Sequence, residues 1–376
     1  MAVETFSAKR AYTIADSLRR QGILVIMGGF HPTLLPDEAL GHADSVVIGE
    51  AENVWENVIS DLRSRTLQKI YKQEHPVSLK GLWFDRSIFK GKKYLSILPV
   101  QFSRGCRFAC DFCSIHAFYG SSVRRRPISE VIGEIKDAKT VFIIDDNILS
   151  DREDAKELFR SLVALKIRWG CQISIDVVDD EEMLSLMAES GCVAVLIGFE
   201  SLNPNNLQQM NKGVNLGRID YKSAIARIKR HGIMIYGTFV FGYDHDMVTS
   251  VEKTCEFAME QRLFLANFNP LMPMPGTGLY ERLAEEGRLM YDKWWLAGDF
   301  RYGDTMFKPE LMTQGELASG CYEARKKFNN YRSILRRACD WANCRTLSHL
   351  GIFLTANFVS RTEIYNKQGV VLGGGQ

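Results

Sequence analysis

Cys106, Cys110 and Cys113 stand in the run Ser103-Arg104-Gly105-Cys106-Arg107-Phe108-Ala109-Cys110-Asp111-Phe112-Cys113. Three closely spaced thiolates can hold an iron–sulfur cluster and leave one iron without a protein ligand. An open iron binds a substrate or cofactor, whereas a fully ligated cluster only passes electrons. The competing chemistry is zinc, because His116 follows three residues later and completes a Cys3His set. Structural zinc belongs to small modules, and this chain offers a long alternating array instead.

The remaining cysteines support a reducing environment. The chain has nine, an odd number, and Cys171, Cys192, Cys255, Cys321, Cys339 and Cys344 are scattered. That is no disulfide framework, and most of the six read as core. With 376 residues, 46% hydrophobic and 24% charged, the chain has the composition of an ordinary globular protein. A net charge of +2 gives no electrostatic case for nucleic acid. The sequence carries no run of 18 apolar residues and no signal-peptide core at its start, so the expected location is cytoplasmic with no transmembrane segment.

The elements that must position the cysteines alternate. Residues 8–21 have a helical pattern and 23–27 a buried-strand pattern; a Gly28-Gly29 loop, a second short strand at 45–50 and a helix at 51–62 come next. Residues 66–98 lack periodicity and read as a linker. From residue 99 six strand–helix pairs run to about 287, with strands near 100–103, 140–144, 172–177, 193–199, 233–241 and 265–270. Ser150 and Glu153 suggest a capping box for one of the helices. The pattern predicts an α/β chain with a partial (β/α)6 barrel, preceded by a half-length Rossmann-like segment (1–65) and followed by a helical extension (288–376). In parallel barrels, functional residues sit on the loops after strand C-termini. The cysteine loop, Asp145-Asp146-Asn147, Glu200-Ser201 and the 272–277 loop all fall there. The tail at 373–376 is expected to fray.

With the aromatic residue before the last cysteine, the CxxxCxxC motif and the strand–helix array after it resemble the radical S-adenosylmethionine (SAM) enzymes over about residues 99–283. The resemblance implies that Cys106, Cys110 and Cys113 ligate a [4Fe-4S] cluster whose fourth iron SAM chelates. It implies that Phe112 packs near the adenine, that Asp145, Asp146 and Asn147 stand by the SAM amino group, and that Glu200, followed by Ser201, meets the ribose hydroxyls. The 237–242 and 272–277 stretches resemble the backbone that holds the adenine, and plain turn chemistry explains them equally well. Arg124-Arg125-Arg126 is either a solvated basic patch or an anion holder. Cys171 and Ser174 are candidates to point into the barrel.

The first segment narrows the resemblance to cobalamin-type radical SAM enzymes. Gly28 and Gly29 match a loop whose backbone approaches the corrin's nucleotide tail. The DxHxxG motif of that domain's first half has no counterpart, and His31 reads as a loop residue, so a docking remnant that binds nothing is the alternative. The C-terminal part resembles the extension of hopanoid C-methylase relatives.

The resemblance implies an enzyme that cleaves SAM reductively and functionalises an unactivated carbon of an apolar small molecule by C-methylation. Its cofactors would be the [4Fe-4S] cluster, SAM and, as a third candidate, cobalamin, and its reductant a flavodoxin or ferredoxin. Rearrangement or oxidation without methyl transfer, and a truncated non-catalytic partner, are the alternatives. The apolar stretch at 347–358 is either a buried helix or a peripheral membrane contact.

Overall fold

The computed structural model describes residues 1–371 except 90, 93, 95, 96 and 217–219. The tail expected to fray at 373–376 lies outside the described residues.

Three short parallel strands form a first sheet in the order β1 (Ile26–Met27), β2 (Ser45–Ile48), β3 (Ile70–Lys72). The first strand is shorter than its apolar run suggested: Ile23 and Leu24 are exposed, and the Val25 amide donates to Asp44 Oδ2 instead of to a neighbouring strand. Residues 70–72, assigned to the linker, extend the sheet. A strand of three residues is too short to show periodicity, and its pairing with β2 supplies the order that the sequence lacks.

The large sheet has six parallel strands: β4 (Leu98–Val100), β7 (Thr140–Ile143), β8 (Arg168–Ile173), β9 (Cys192–Glu200), β10 (Met234–Phe241) and β11 (Leu265–Pro270). Successive strands are neighbours throughout, with β4 and β11 at the edges. This is the order that repeated strand–helix units produce when each returns to the same side. An antiparallel hairpin of β5 (Ser103–Arg104) and β6 (Arg124–Arg125) frames the cysteine loop. Strand β8 lies earlier than expected because Ile175–Asp179 turn into a 3-10 helix.

Burial alternates along the central strands. Val195, Ile197 and Phe199 of β9 and Phe239 and Phe241 of β10 belong to the main core. Leu196, Gly198, Thr238 and Val240 are half-buried on the opposite face. A parallel sheet covered on both faces would bury both sets; here the second face opens into cavities.

The helical extension starts later than expected. Residues 288–313 are largely irregular, and helices stand at Gln314–Phe328, Tyr331–Ala338, Trp341–Cys344 and Leu347–Lys367. The extension breaks at Asn329-Asn330, because Asn330 Oδ1 accepts the Ser333 amide and starts a new helix. In Leu347–Lys367, Phe353 and Asn357 are buried, with Phe353 packed against Val193, Met234 and Phe264. The buried-helix reading of 347–358 therefore holds for one face, while Leu347, Phe358 and Val359 are exposed. No helix among the described residues is long and apolar enough to cross a membrane. Arg337 ties this layer to the sheet, donating to the carbonyls of Leu263, Phe264 and Phe328 and to Asn357 Oδ1.

One smaller expectation changes and another holds. The helix Arg152–Val163 is capped by Asp151, which accepts the Asp154 amide, so the Ser150/Glu153 capping box does not form. Cys339 and Cys344 are exposed, unlike the four other scattered cysteines, which are buried.

Candidate active site at the cysteine loop

The cysteine loop is held at both ends. Asp145, at the end of β7, accepts the Phe102 amide at 2.8 Å, the Ser103 amide at 2.7 Å and the Ser103 hydroxyl at 2.6 Å. Asp146 Oδ2 accepts the Gly105 amide at 2.8 Å. Gly105 has φ of 92°, and a Cβ there would stand 1.9 Å from the Ser122 carbonyl oxygen, so only glycine fits the turn into Cys106. On the far side, the Asp111 amide donates to the Met210 carbonyl at 3.0 Å, Asn211 Nδ2 to the Ala109 carbonyl at 2.8 Å, and Tyr243 to Asp111 Oδ1 at 2.6 Å.

Cys106, Cys110 and Cys113 line one cavity of about 150 Å³. Burial pushes the Cys110 thiol up to about 11, with Lys212 pulling the other way. Burial also raises Cys113, opposed by the backbone amides of His116 and Ile115 at the start of the helix Ser114–Tyr119. The three sulfurs face a shared space. His116, the fourth ligand of the zinc reading, is not among the residues that line this cavity. A zinc ion needs its ligands within about 2.3 Å of one centre, whereas a cubane cluster takes thiolates at separate corners. The donor set and its spacing fit the cluster.

The opposite wall of the cavity is built by a bulge. The β9–β10 register shifts between Thr238 and Phe239, and Glu200 ends β9 with φ of 60°. Its side chain turns into the cavity, where Oε1 pairs with Lys212 Nζ. A Cβ at Gly198 would stand 2.1 Å from Glu200 Oε1 and 2.7 Å from Lys212 Nζ. The missing Cβ thus leaves room for a cradle, lined also by Thr238, Gln172 and Ser174. By the chemistry of its donors the lining suits the pair: thiols for a cluster, and carboxylate and amide oxygens for the ammonium and hydroxyls of SAM.

The residues nominated from sequence divide. Phe112, Asp146, Asn147 and Glu200 line the cavity. Asp145 does not: it is buried beneath the loop and spends its oxygens on Phe102 and Ser103, with burial lifting its carboxyl to about 6. Ser201 also turns away, its hydroxyl accepting from Asn203 and Asn206. Cys171 is fully buried in the core, whereas Ser174 reaches the cavity. Arg124, Arg125 and Arg126 are each paired with acids of this chain, Arg125 at the exposed surface and Arg126 buried. Arg124 pairs with Glu50, Arg125 with Asp151 and Asp154, and Arg126 with Glu134.

Gly28 and Gly29 are engaged by this chain's own residues. The Gly28 amide donates to the Met1 carbonyl, and a Cβ at Gly29 would stand 3.0 Å from Val3 backbone atoms. His31 is a helical residue and fully buried, with Nε2 2.9 Å from Tyr12 Oη and 3.1 Å from Glu38 Oε1.

Sequence reasoning missed Lys212, Gln172 and Thr238. Gln172 and Thr238 can be placed by strand alternation once the register is known. Lys212 lies in a loop after the helix Pro204–Gln209 and reaches the site only because that loop folds back over the cysteines.

Comparison with known proteins agrees with this geometry. The sequence pattern of the radical SAM superfamily matches residues 100–258. The chain is 32% identical over 346 residues to the bacteriochlorophyllide d C-12(1)-methyltransferase of Chlorobaculum tepidum, covering 89% of this chain and 75% of that protein. It is 29% identical to the hopanoid C-2 methylase of Rhodopseudomonas palustris, over 53% of this chain and 40% of that one. The fold is similar to that of OxsB, a cobalamin-dependent SAM radical enzyme solved with aqua-cobalamin and SAM, with a TM-score of 0.60 and 13% identity. That likeness covers 96% of this chain but 63% of OxsB, so the chain spans less than two thirds of the solved protein. A match of this length and identity to a methyltransferase, joined to the cavity that the three cysteines line, identifies the chain as a member of the radical SAM superfamily.

Proposed function

We propose that this chain cleaves SAM reductively at a [4Fe-4S] cluster and methylates an unactivated carbon of an apolar small molecule. The observation that carries the reading is the single cavity shared by Cys106, Cys110 and Cys113 on one wall and the Glu200–Lys212 pair over Gly198 on the other. The cluster and SAM, when bound, supply one-electron chemistry that no side chain here provides.

The chain's own groups bind, orient and exclude water. Asp146 and Asn147 offer acceptors to the ammonium of SAM. Glu200 keeps its second carboxylate oxygen free of protein partners among the described residues, available to the ribose hydroxyls. Lys212 neutralises Glu200 and adds positive charge beside Cys110 and the face of Phe112. Asp145 sets the loop's approach and touches nothing in the cavity. The methyl-transfer part draws on the bacteriochlorophyllide and hopanoid methylating relatives. Cobalamin is the proposed third cofactor, drawn from the likeness to OxsB, and Gly28 and Gly29 are the proposed loop that meets it. A flavodoxin- or ferredoxin-like protein is the proposed reductant.

The test is anaerobic reconstitution with iron and sulfide, then dithionite and SAM, with and without hydroxocobalamin. Release of 5′-deoxyadenosine supports the reading, and a cobalamin-dependent rise in S-adenosylhomocysteine supports methyl transfer. An assembled cluster that yields neither product refutes it.

A further inference from the structure

A second cavity, of about 320 Å³, lies beside the first, and Phe112 lines both. Its walls are mostly apolar: Val240 and Leu271 at the ends of β10 and β11, Met272 and Met274 in the next loop, and Phe6 and Phe300 across from them. At one end stands Arg325, from the helix Gln314–Phe328.

Arg325 is 5% exposed, and its guanidinium makes one hydrogen bond among the described residues, from Nε to the Cys321 carbonyl at 3.2 Å. Nη2 is buried with no partner among the described residues. The guanidinium lies 5.5 Å from the ring centroid of Tyr302, which also lines the cavity. Asp304 lines it too, yet no carboxylate among the described residues comes within the 4.0 Å of an ion pair with Arg325. Arg337 shows what a self-sufficient buried arginine looks like in this same layer: it has no acid either, but its donors are taken by three carbonyls, an amide oxygen and a hydroxyl. A buried cation with open donors is costly unless something else supplies the acceptor. Arg325 has that open donor, and the residue lines the cavity.

We infer that Arg325 is an anchor for a carboxylate, so that the cavity takes an apolar molecule bearing a carboxylate at one end. A planar guanidinium with free donors matches a carboxylate's two oxygens. The apolar body would then run toward Phe112, which puts carbons far from the carboxylate next to the cluster cavity. That this ligand is the substrate rests on the proposed SAM chemistry; that the cavity binds a carboxylate does not.

The test uses the full chain, reconstituted anaerobically, and two soluble probes of nearly equal shape, 4-phenylbutyrate and 4-phenylbutyramide. Their affinities are measured by calorimetry or ligand-observed NMR for the wild type, Arg325→Met and Arg325→Lys. The wild type should prefer the acid by roughly tenfold. The preference should vanish in Arg325→Met and persist in part in Arg325→Lys, which keeps the cation and reports on any loss of folding. Equal binding of acid and amide, no binding of either, or an acid preference that survives Arg325→Met overturns the inference. Release of 5′-deoxyadenosine from the wild type is scored separately. If none forms, the proposed function fails while the acid-to-amide ratio still decides the carboxylate site.

Discussion

Gly198→Ala separates SAM binding from cluster binding. Gly198 lies within β9 and is absent from the positive-φ residues, so alanine strains no backbone. The new methyl group would instead stand 2.1 Å from Glu200 Oε1 and 2.7 Å from Lys212 Nζ. To reach an ordinary contact of about 3.5 Å, the carboxylate must withdraw by about 1.4 Å and the ammonium by about 0.8 Å. Both are ends of flexible side chains and can move without unfolding anything. They move within the cradle, however, and a displacement of about 1 Å at a positioning group costs on the order of 100-fold, or about 2.7 kcal/mol. None of the bonds that hold the cysteine loop passes through Gly198, so the cluster should assemble normally. Iron and sulfide content should match the wild type, while the affinity for SAM, measured by equilibrium dialysis, falls on the order of 100-fold. A Gly198→Ala protein with a full cluster and wild-type SAM affinity would refute the cradle. Loss of the cluster itself would refute the separation of the two walls.

Cys110→Ala should assemble no stable [4Fe-4S] cluster and release no 5′-deoxyadenosine, read from the iron content and by chromatography. Glu50→Gln removes the shared acceptor of Arg104 and Arg124; a loss of about 2–4 kcal/mol in chemical denaturation is expected, with reduced cluster loading, since the side chain is 5% exposed. At Glu38, burial pushes the carboxyl up, but donors from His31, Trp295, Lys293 and Tyr12 prevail and hold it at about 2. Because the folded value is depressed, its contribution is present above the unfolded value near 4.5 and is lost as pH falls toward 2. Glu38→Gln should therefore cost about 2–3 kcal/mol at pH 7 and flatten the acid limb of a stability–pH curve between those values. Arg337→Met should lower stability by more than about 3 kcal/mol, because it strands three buried carbonyls; an unchanged melting temperature would contradict that.

The parts of the site that the sequence made legible are those whose chemistry is local. Three cysteines at fixed spacing carry their meaning wherever the loop sits. Strand periodicity was enough to place that loop, Asp146-Asn147 and Glu200 at the same end of one sheet. Periodicity does not say which of two adjacent aspartates turns inward. Asp145 and Asp146 look alike in sequence, and they part because Phe102 and Ser103 offer three donors from below, while the Gly105 amide holds Asp146 at the rim. Lys212 was illegible for a different reason: its place depends on a loop packing across 100 residues of chain against Ala109. The arginine run stayed open between two readings because its acids are not adjacent in sequence: Glu134 lies eight residues from Arg126, but Glu50 lies 74 from Arg124.

The same ion pairs bear on what the first 65 residues do. Docking surfaces carry polar contacts as well as apolar ones, and here the polar contacts reach the cysteine loop. Here Glu50 bridges Arg104 and Arg124, one on each strand of the hairpin that frames the cysteine loop, and Glu52 adds a second acid to Arg104. Gln73, just after β3, donates to Glu50 in turn. Burial penalises the Glu50 charge, but the two arginines outweigh it and keep the carboxyl below its ordinary value. The first sheet therefore sets the geometry of the loop that holds Cys106, whether or not it binds a cofactor of its own. A change confined to residues 45–73 should then appear as a defect in cluster loading before it appears as a defect in any chemistry downstream.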